Sequence, residues 1–162
     1  MAETIRGKGV ISGIAVGQVL LAGQNLDGYL AAYKAGAVDE EQEKANVAIA
    51  AVTETLLTTI ERLRKEEQTE QAAILEAHRM MVQDPMMAEN ITAKIAATGS
   101  APQGILDAAN EQAQLFEQME DEYFAARAVD LRDVGKRIAK YVLGVKEPEI
   151  GSSQVILVGE EI

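Results

Sequence analysis

Residues 39–65 read DEEQEKANVAIAAVTETLLTTIERLRK, without a glycine or a proline. Apolar residues recur at Ala45, Ile49, Val52, Leu56, Ile60 and Leu63. That spacing follows the 3.6-residue period and puts one apolar stripe on one face. The stretch predicts an amphipathic helix of roughly 40 Å. Asp39, Glu40 and Glu41 stand at its start, and Arg62, Arg64 and Lys65 at its end. Both sets complement the helix dipole.

Helical signals continue outward on the C-terminal side. A second helix is expected over 69–83. Asp84-Pro85 interrupts it, and the pair suits an N-cap followed by a first helical residue, so a new helix starts there. Met87, Ile91 and Ile95 form its buried edge, and Thr98-Gly99-Ser100 stops it. Ser100 and Pro102 open the next helix, with Ile105, Ala109, Ala113 and Phe116 on one face. A last helix starts near Asp121 and ends at Gly144, a natural C′ residue, with Phe124, Ala128, Leu131, Val134, Ile138 and Val142 along its apolar edge.

The two chain ends differ from this body. Gly7, Gly9, Gly13, Gly17, Gly23, Gly28 and Gly36 crowd the first 36 residues, and no glycine falls between Asp39 and Thr98. Stretches 5–11 and 16–21 are β-branched or aliphatic and flank the turn signal Ser12-Gly13. Residues 144–153 form a linker with Pro148, and Val155-Ile156-Leu157-Val158 reads as a short buried-type strand. The expected fold is mainly α. An antiparallel four-helix bundle with a broken second helix, residues 37–144, is inserted between short β-strands from both ends. Residues 1–36 and 145–162 would supply those strands, too few for an independent sheet; that they are pieces of an incomplete α/β domain is what the resemblance given below implies.

Composition excludes several function classes. Among 162 residues, 48% are hydrophobic and only 4% aromatic, with no Trp and no Cys. Small aliphatic side chains must fill the core, and disulfides, thiol nucleophiles and Cys-ligated metals are out. One His excludes a His-pair zinc site. The formal net charge of -11 disfavours a phosphate backbone, so no nucleic-acid partner is expected, and a basic protein would be attracted. No apolar run reaches 18 residues, so no membrane span is expected and the default location is the cytoplasm.

Chemistry-bearing patterns are sparse. Gly7-Lys8-Gly9 lacks the third glycine of a dinucleotide fingerprint. No GxSxG elbow occurs, and Ser12, Ser100, Ser152 and Ser153 sit in turn-like contexts. Carboxylate groups such as Glu120-Asp121-Glu122 read as a solvated face. Asp130, Arg132, Asp133 and Arg137 alternate in sign at helical spacings, which favours intrahelical ion pairs. The distinctive stretch is 72–87, AAILEAHRMMVQDPMM, with the lone His78 and Met80, Met81, Met86 and Met87. Methionines so concentrated serve both core filling and adaptable partner surfaces.

Four segments carry a family resemblance. Ala73-Ile74-Leu75-Glu76-Ala77-His78 followed by Gln83-Asp84-Pro85 resembles a segment of enzyme I of the bacterial phosphoenolpyruvate:sugar phosphotransferase system. Residues 119–137, MEDEYFAARAVDLRDVGKR, are similar to a second and longer segment of that family. Residues 9–17, GVISGIAVG, and Val155-Ile156-Leu157-Val158 match two more, all in order along the chain.

The resemblance implies that phosphoenolpyruvate phosphorylates a His of enzyme I with magnesium, and that the phosphoryl group passes to a His of the carrier HPr. It implies an HPr-binding bundle within an α/β phosphohistidine domain, whose phosphohistidine lies in a GGxTSH motif beyond the final strand. No such motif stands within residues 1–162. The expectation is an N-terminal fragment with no catalytic residue, metal site or cofactor of its own, inactive alone, whose partners are HPr and the remainder of its parent chain. Carried over by position, the HPr-contact candidates are Glu70, His78, Met80, Met81, Asp84, Met86, Met87, Gln112, Phe116, Tyr123 and Arg127. Glu70, Asp84 and Glu120 would rim the patch, with Phe116 as its anchor. Two positions depart from the family: acidic residues after the helix break are here Pro85 and Met86, and an aliphatic contact is Phe116. Both shift recognition from charge toward apolar contact. The alternative is a stand-alone helical adaptor without phosphotransfer.

Overall fold

The computed structural model describes residues 13–14, 16–21, 26–119, 121–145 and 155–158. Two units separate by their contacts: Leu26–Lys146, and the two chain ends Met1–Asn25 with Glu147–Ile162. In the second unit, strand β1 (Gln18–Leu21) pairs in parallel with β2 (Val155–Val158), in register from Gln18 opposite Val155 to Leu21 opposite Val158. The strand expected over 5–11 and most of the linker expected over 144–153 lie outside the described residues.

The first unit is helical throughout: α1 (Asp27–Ala32), α2 (Val38–Lys65), α3 (Thr69–Val82), α4 (Pro85–Thr98), α5 (Ala101–Glu117) and α6 (Glu122–Val142). Helix α1 corrects the reading of residues 27–32 as part of a strand-forming segment. Its single Gly28 is tolerated because Asp27 complements the first turn and Ala31 and Ala32 are strong helix formers. Counting glycines had merged this helix with the strand region.

The helix ends follow from local chemistry. Asp84 caps α4 by accepting from the Met86 N–H at 2.9 Å, and Pro85 occupies the first helical position. Gly99 ends α4 in the left-handed region at φ 71°, and its N–H reaches the Ile95 carbonyl. Such a backbone costs glycine nothing and any other residue strain. Gly144 does the same after α6, at φ 65°.

Helices α2 to α6 share one apolar core. Ala48, Leu56, Ile60, Ile95, Ile105, Ala108, Ala113, Val134 and Ile138 are almost fully enclosed. Burying each large aliphatic contributes about 1.5–3 kcal/mol. With so few aromatics the core closes by close approach instead. A Cβ on Gly104 would stand 2.8 Å from the Ile95 backbone N, and one on Gly135 2.4 Å from the Ala109 Cβ. Helix α5 therefore lies tight against α4 and α6.

One acidic residue does more than complement a dipole. Glu41, in the first turn of α2 as expected, is completely buried. Its carboxylate accepts from the Gly36 N–H (2.9 Å), the Ala101 N–H (2.8 Å), the Tyr33 hydroxyl (2.8 Å) and Lys44 Nζ (2.6 Å). Burial pushes this carboxyl up, but the bonds from Gly36, Lys44, Ala101 and Tyr33 outweigh it and hold it at about 2. Glu41 thus fastens the segment after α1 and the start of α5 to α2.

Candidate functional site

The break at Asp84-Pro85 turns neighbouring methionines to opposite sides. Met86 is 64% exposed, whereas Met87 is 1% exposed within the core. On α3, Ile74 and Met80 face outward, and Met81 is half-buried against the core. Glu70 is exposed in the first turn of α3, and Asp84 is half-buried at its cap. The described residues do not include Glu120.

A chain of contacts joins α3, α6 and α5. His78, 8% exposed, has its Nε2 3.3 Å from Asp130 Oδ1. The other Asp130 oxygen accepts from Arg127 Nη1, also at 3.3 Å. The Arg127 guanidinium lies over the Tyr123 ring, 5.2 Å from its centroid. Tyr123 meets Phe124 edge-on at 5.5 Å, and Phe124 meets Phe116 edge-on at 5.6 Å. Contact with Tyr123 raises the Arg127 guanidinium above its ordinary value against a burial penalty, and Asp130 adds to the rise. Both phenylalanines of the chain and one of its tyrosines thus gather where α5 turns into α6.

Four of the residues singled out from the sequence, His78, Arg127, Tyr123 and Phe116, belong to this chain of contacts. Two others do not belong to any surface. Met87 lies on the enclosed stripe with Ile91 and Ile95, and Gln112 is 7% exposed among Ala108, Ala109 and Ala113. Neither is open to a partner. The family pattern had carried over residue positions without the facing of each helix, although the spacing of Met87, Ile91 and Ile95 already marked a buried edge.

In the charged run on α6 the expected intrahelical pairs form for Asp130, with Arg127, and for Asp133, with Lys136, but not for Arg132. Arg132 does not pair within its helix: its guanidinium grips the Glu117 carboxylate on α5 with both terminal nitrogens, one at 2.9 Å, and Nε donates to Asn110 at 3.1 Å. Hydrogen bonding to Glu117 raises the Arg132 guanidinium, and Arg132 in turn holds Glu117 below the usual carboxylate range. Asp133 pairs with Lys136 at 3.8 Å rather than with Arg137. Asp130 was the residue missed. Its partner His78 lies 52 positions away, and no local pattern marks that distance.

Among the described residues no group of three or more His, Asp or Glu side chains converges as a metal site. No described helix is long and apolar enough to cross a membrane.

The family described as PEP-utilising enzyme, N-terminal, matches residues 6–127. The chain belongs to that family. This PEP-utilising N-terminal chain is 30% identical, over its whole length, to the phosphoenolpyruvate-protein phosphotransferase of Staphylococcus carnosus (strain TM300), of which it covers 29%. It is also 30% identical over its whole length to the enzyme of the same name from Priestia megaterium, again covering 29%. The chain thus spans less than a third of the curated relatives it matches. A solution structure of Enzyme I aligns with a TM-score of 0.73 at 30% identity, covering 93% of this chain and 62% of that one. The N-terminal domain of "Enzyme 1 - Nitrogen" shares the fold, with a TM-score of 0.70 at 18% identity, covering 90% of this chain and 60% of that one. The PEP-utilising N-terminal family and these relatives agree with the resemblance read from the four segments.

Proposed function

We propose that this chain is the carrier-docking part of a phosphoenolpyruvate-protein phosphotransferase, and that it binds HPr on the face built by α3, α4 and the junction of α5 with α6. The antiparallel four-helix bundle of the family would consist of α2, the broken pair α3–α4, α5 and α6. The chain ends, 1–25 and 147–162, would belong to its phosphohistidine domain, and the protein would work in the cytoplasm.

The supporting observation is the exposure of Met80, Met86, Met119 and Tyr123 between 55% and 64%, Tyr123 being also part of an aromatic and cationic stack. Exposed methionine and tyrosine are the side chains of an adaptable apolar patch. Tyr123 is the outermost anchor. Phe116 and Phe124 back it from beneath. A transient interface of this kind buries about 600–800 Å² per partner. The acidic balance of the chain steers a basic-rimmed carrier toward it.

Phosphoryl transfer itself would use a histidine outside residues 1–162. His78 is a poor acceptor: its Nδ1 is enclosed and its Nε2 is engaged by Asp130. A phosphoryl acceptor needs a ring nitrogen whose lone pair is open to the donor. Magnesium would serve the parent enzyme elsewhere.

Calorimetric titration with HPr tests the docking face. Tyr123→Ala and Phe116→Ala should each weaken binding at least tenfold while the chain stays folded, the usual effect of truncating an interface anchor. Unchanged affinity in both folded variants would remove the face from consideration. Incubation with phosphoenolpyruvate, magnesium and a complete enzyme I should leave the intact mass unchanged. An acid-labile gain of one phosphate on His78 would contradict the reading.

A further inference from the structure

We infer that Asp130 is a positioning residue for the docking face: one carboxylate holds the His78 imidazole on α3 and the Arg127 guanidinium on α6 in a single arrangement before a partner arrives. The consequence for binding depends on the docking role proposed above; the contacts themselves do not.

A carboxylate only accepts hydrogen bonds, so the ring nitrogen facing Asp130 Oδ1 at 3.3 Å carries the hydrogen. That places the proton of the neutral ring on Nε2 and leaves Nδ1 bare. Nδ1 is enclosed and has no hydrogen-bond partner among the described residues. Asp130 therefore supplies the polar contact that orients a buried ring. Its second oxygen is spent on Arg127 Nη1, whose guanidinium then lies over Tyr123. Loss of this one carboxylate frees a ring on one helix and a long cationic side chain on another. Arg127 must then be ordered again when a partner binds, and so must the tyrosine it covers. Side chains ordered in advance avoid that entropy cost. The position of the imidazole proton reports the contact itself, and affinity for the partner reports its consequence for docking.

The chain has a single histidine, so the imidazole nitrogen spectrum of the ¹⁵N-labelled protein reports His78 directly. Recorded above neutral pH, the wild type should show the Nε2-protonated ring. In Asp130→Ala the proton should redistribute toward Nδ1, and affinity for HPr should fall roughly tenfold. In Asp130→Asn the amide oxygen still accepts from Nε2, so the ring should keep its form. Affinity should then fall partway, because Arg127 has lost its ionic partner. A wild-type ring protonated on Nδ1 would overturn the assignment. So would a folded Asp130→Ala with unchanged ring signals and unchanged affinity. If the alanine variant does not fold, the wild-type ring and the asparagine variant decide: an Asn variant that loses the Nε2-protonated form, or binds as wild type, counts against the role. Wild-type protein that does not bind HPr would refute the docking role instead, and the ring signals would still decide whether Asp130 orients His78.

Discussion

Replacing Glu41 by Gln keeps the size of the side chain and removes its charge. Glu41 is fully buried and accepts four hydrogen bonds. A glutamine has one carbonyl oxygen and one amide NH₂. Placed toward Tyr33 and Ala101, the NH₂ can be accommodated by rotating the tyrosine hydroxyl, but the Ala101 N–H is left without an acceptor. Placed the other way, it meets the Gly36 N–H and the Lys44 ammonium. Either choice strands a buried donor, at about 1–3 kcal/mol, and forfeits the strength of bonds to a charge. Linkage supplies a second figure. The fall of the Glu41 carboxyl from 4.5 to about 2 corresponds to about 3 kcal/mol. The site opens to water on the side of Lys44, whose side chain is 43% exposed, which brings the figure to about 2–3 kcal/mol. For a domain of this size that lowers the melting temperature by about 10 °C.

The sign of the pH effect follows from the direction of the shift. The folded value lies below the unfolded one, so the stabilisation is complete above 4.5 and is lost as pH falls toward about 2. Urea unfolding of wild type and Glu41→Gln should differ by about 2–3 kcal/mol at neutral pH and by less than half of that near pH 3. A gap under about 1 kcal/mol at neutral pH, or one that does not narrow on acidification, would refute the reasoning.

Two further outcomes follow from the helix contacts. Gly104→Ala should cost about 1–3 kcal/mol in urea unfolding, because its Cβ would press on the Ile95 backbone, at 2.8 Å from N and 3.0 Å from Cα, which cannot swing aside; an unchanged midpoint would mean the two helices separate freely there. Arg132→Ala should lower the melting temperature by a few degrees, more so at low salt, while HPr affinity stays unchanged, because its grip on Glu117 and Asn110 joins α5 to α6; lost binding at unchanged stability would move Arg132 into the interface.

Features governed by nearest neighbours along the chain were legible in advance. The apolar stripe of α2, the start of α4 at Asp84-Pro85 and the left-handed stops at Gly99 and Gly144 all obey rules that act within one or two turns. What escaped depends on partners brought together only by folding. Glu41 resembles any first-turn acid until Ala101, 60 positions on, is placed against it. Asp130 and Arg132 look like members of an alternating surface run, yet they reach α3 and α5. The same limit divided the candidate site. Tyr123, Met80 and Met86 are exposed where the resemblance placed contacts, whereas Gln112 and Met87, the latter next to Met86, turn inward. Family position names a residue, but helix phase decides which way it faces.

The docking role is tested most directly by titrating the ¹⁵N-labelled chain with HPr and following backbone amide shifts. The perturbed residues should cluster within 70–87 and 112–127, strongest around Met80, Met86 and Tyr123, with α2 largely unmoved. Shifts confined to the chain ends, 1–25 and 147–162, or no shifts at saturating HPr, would contradict the account.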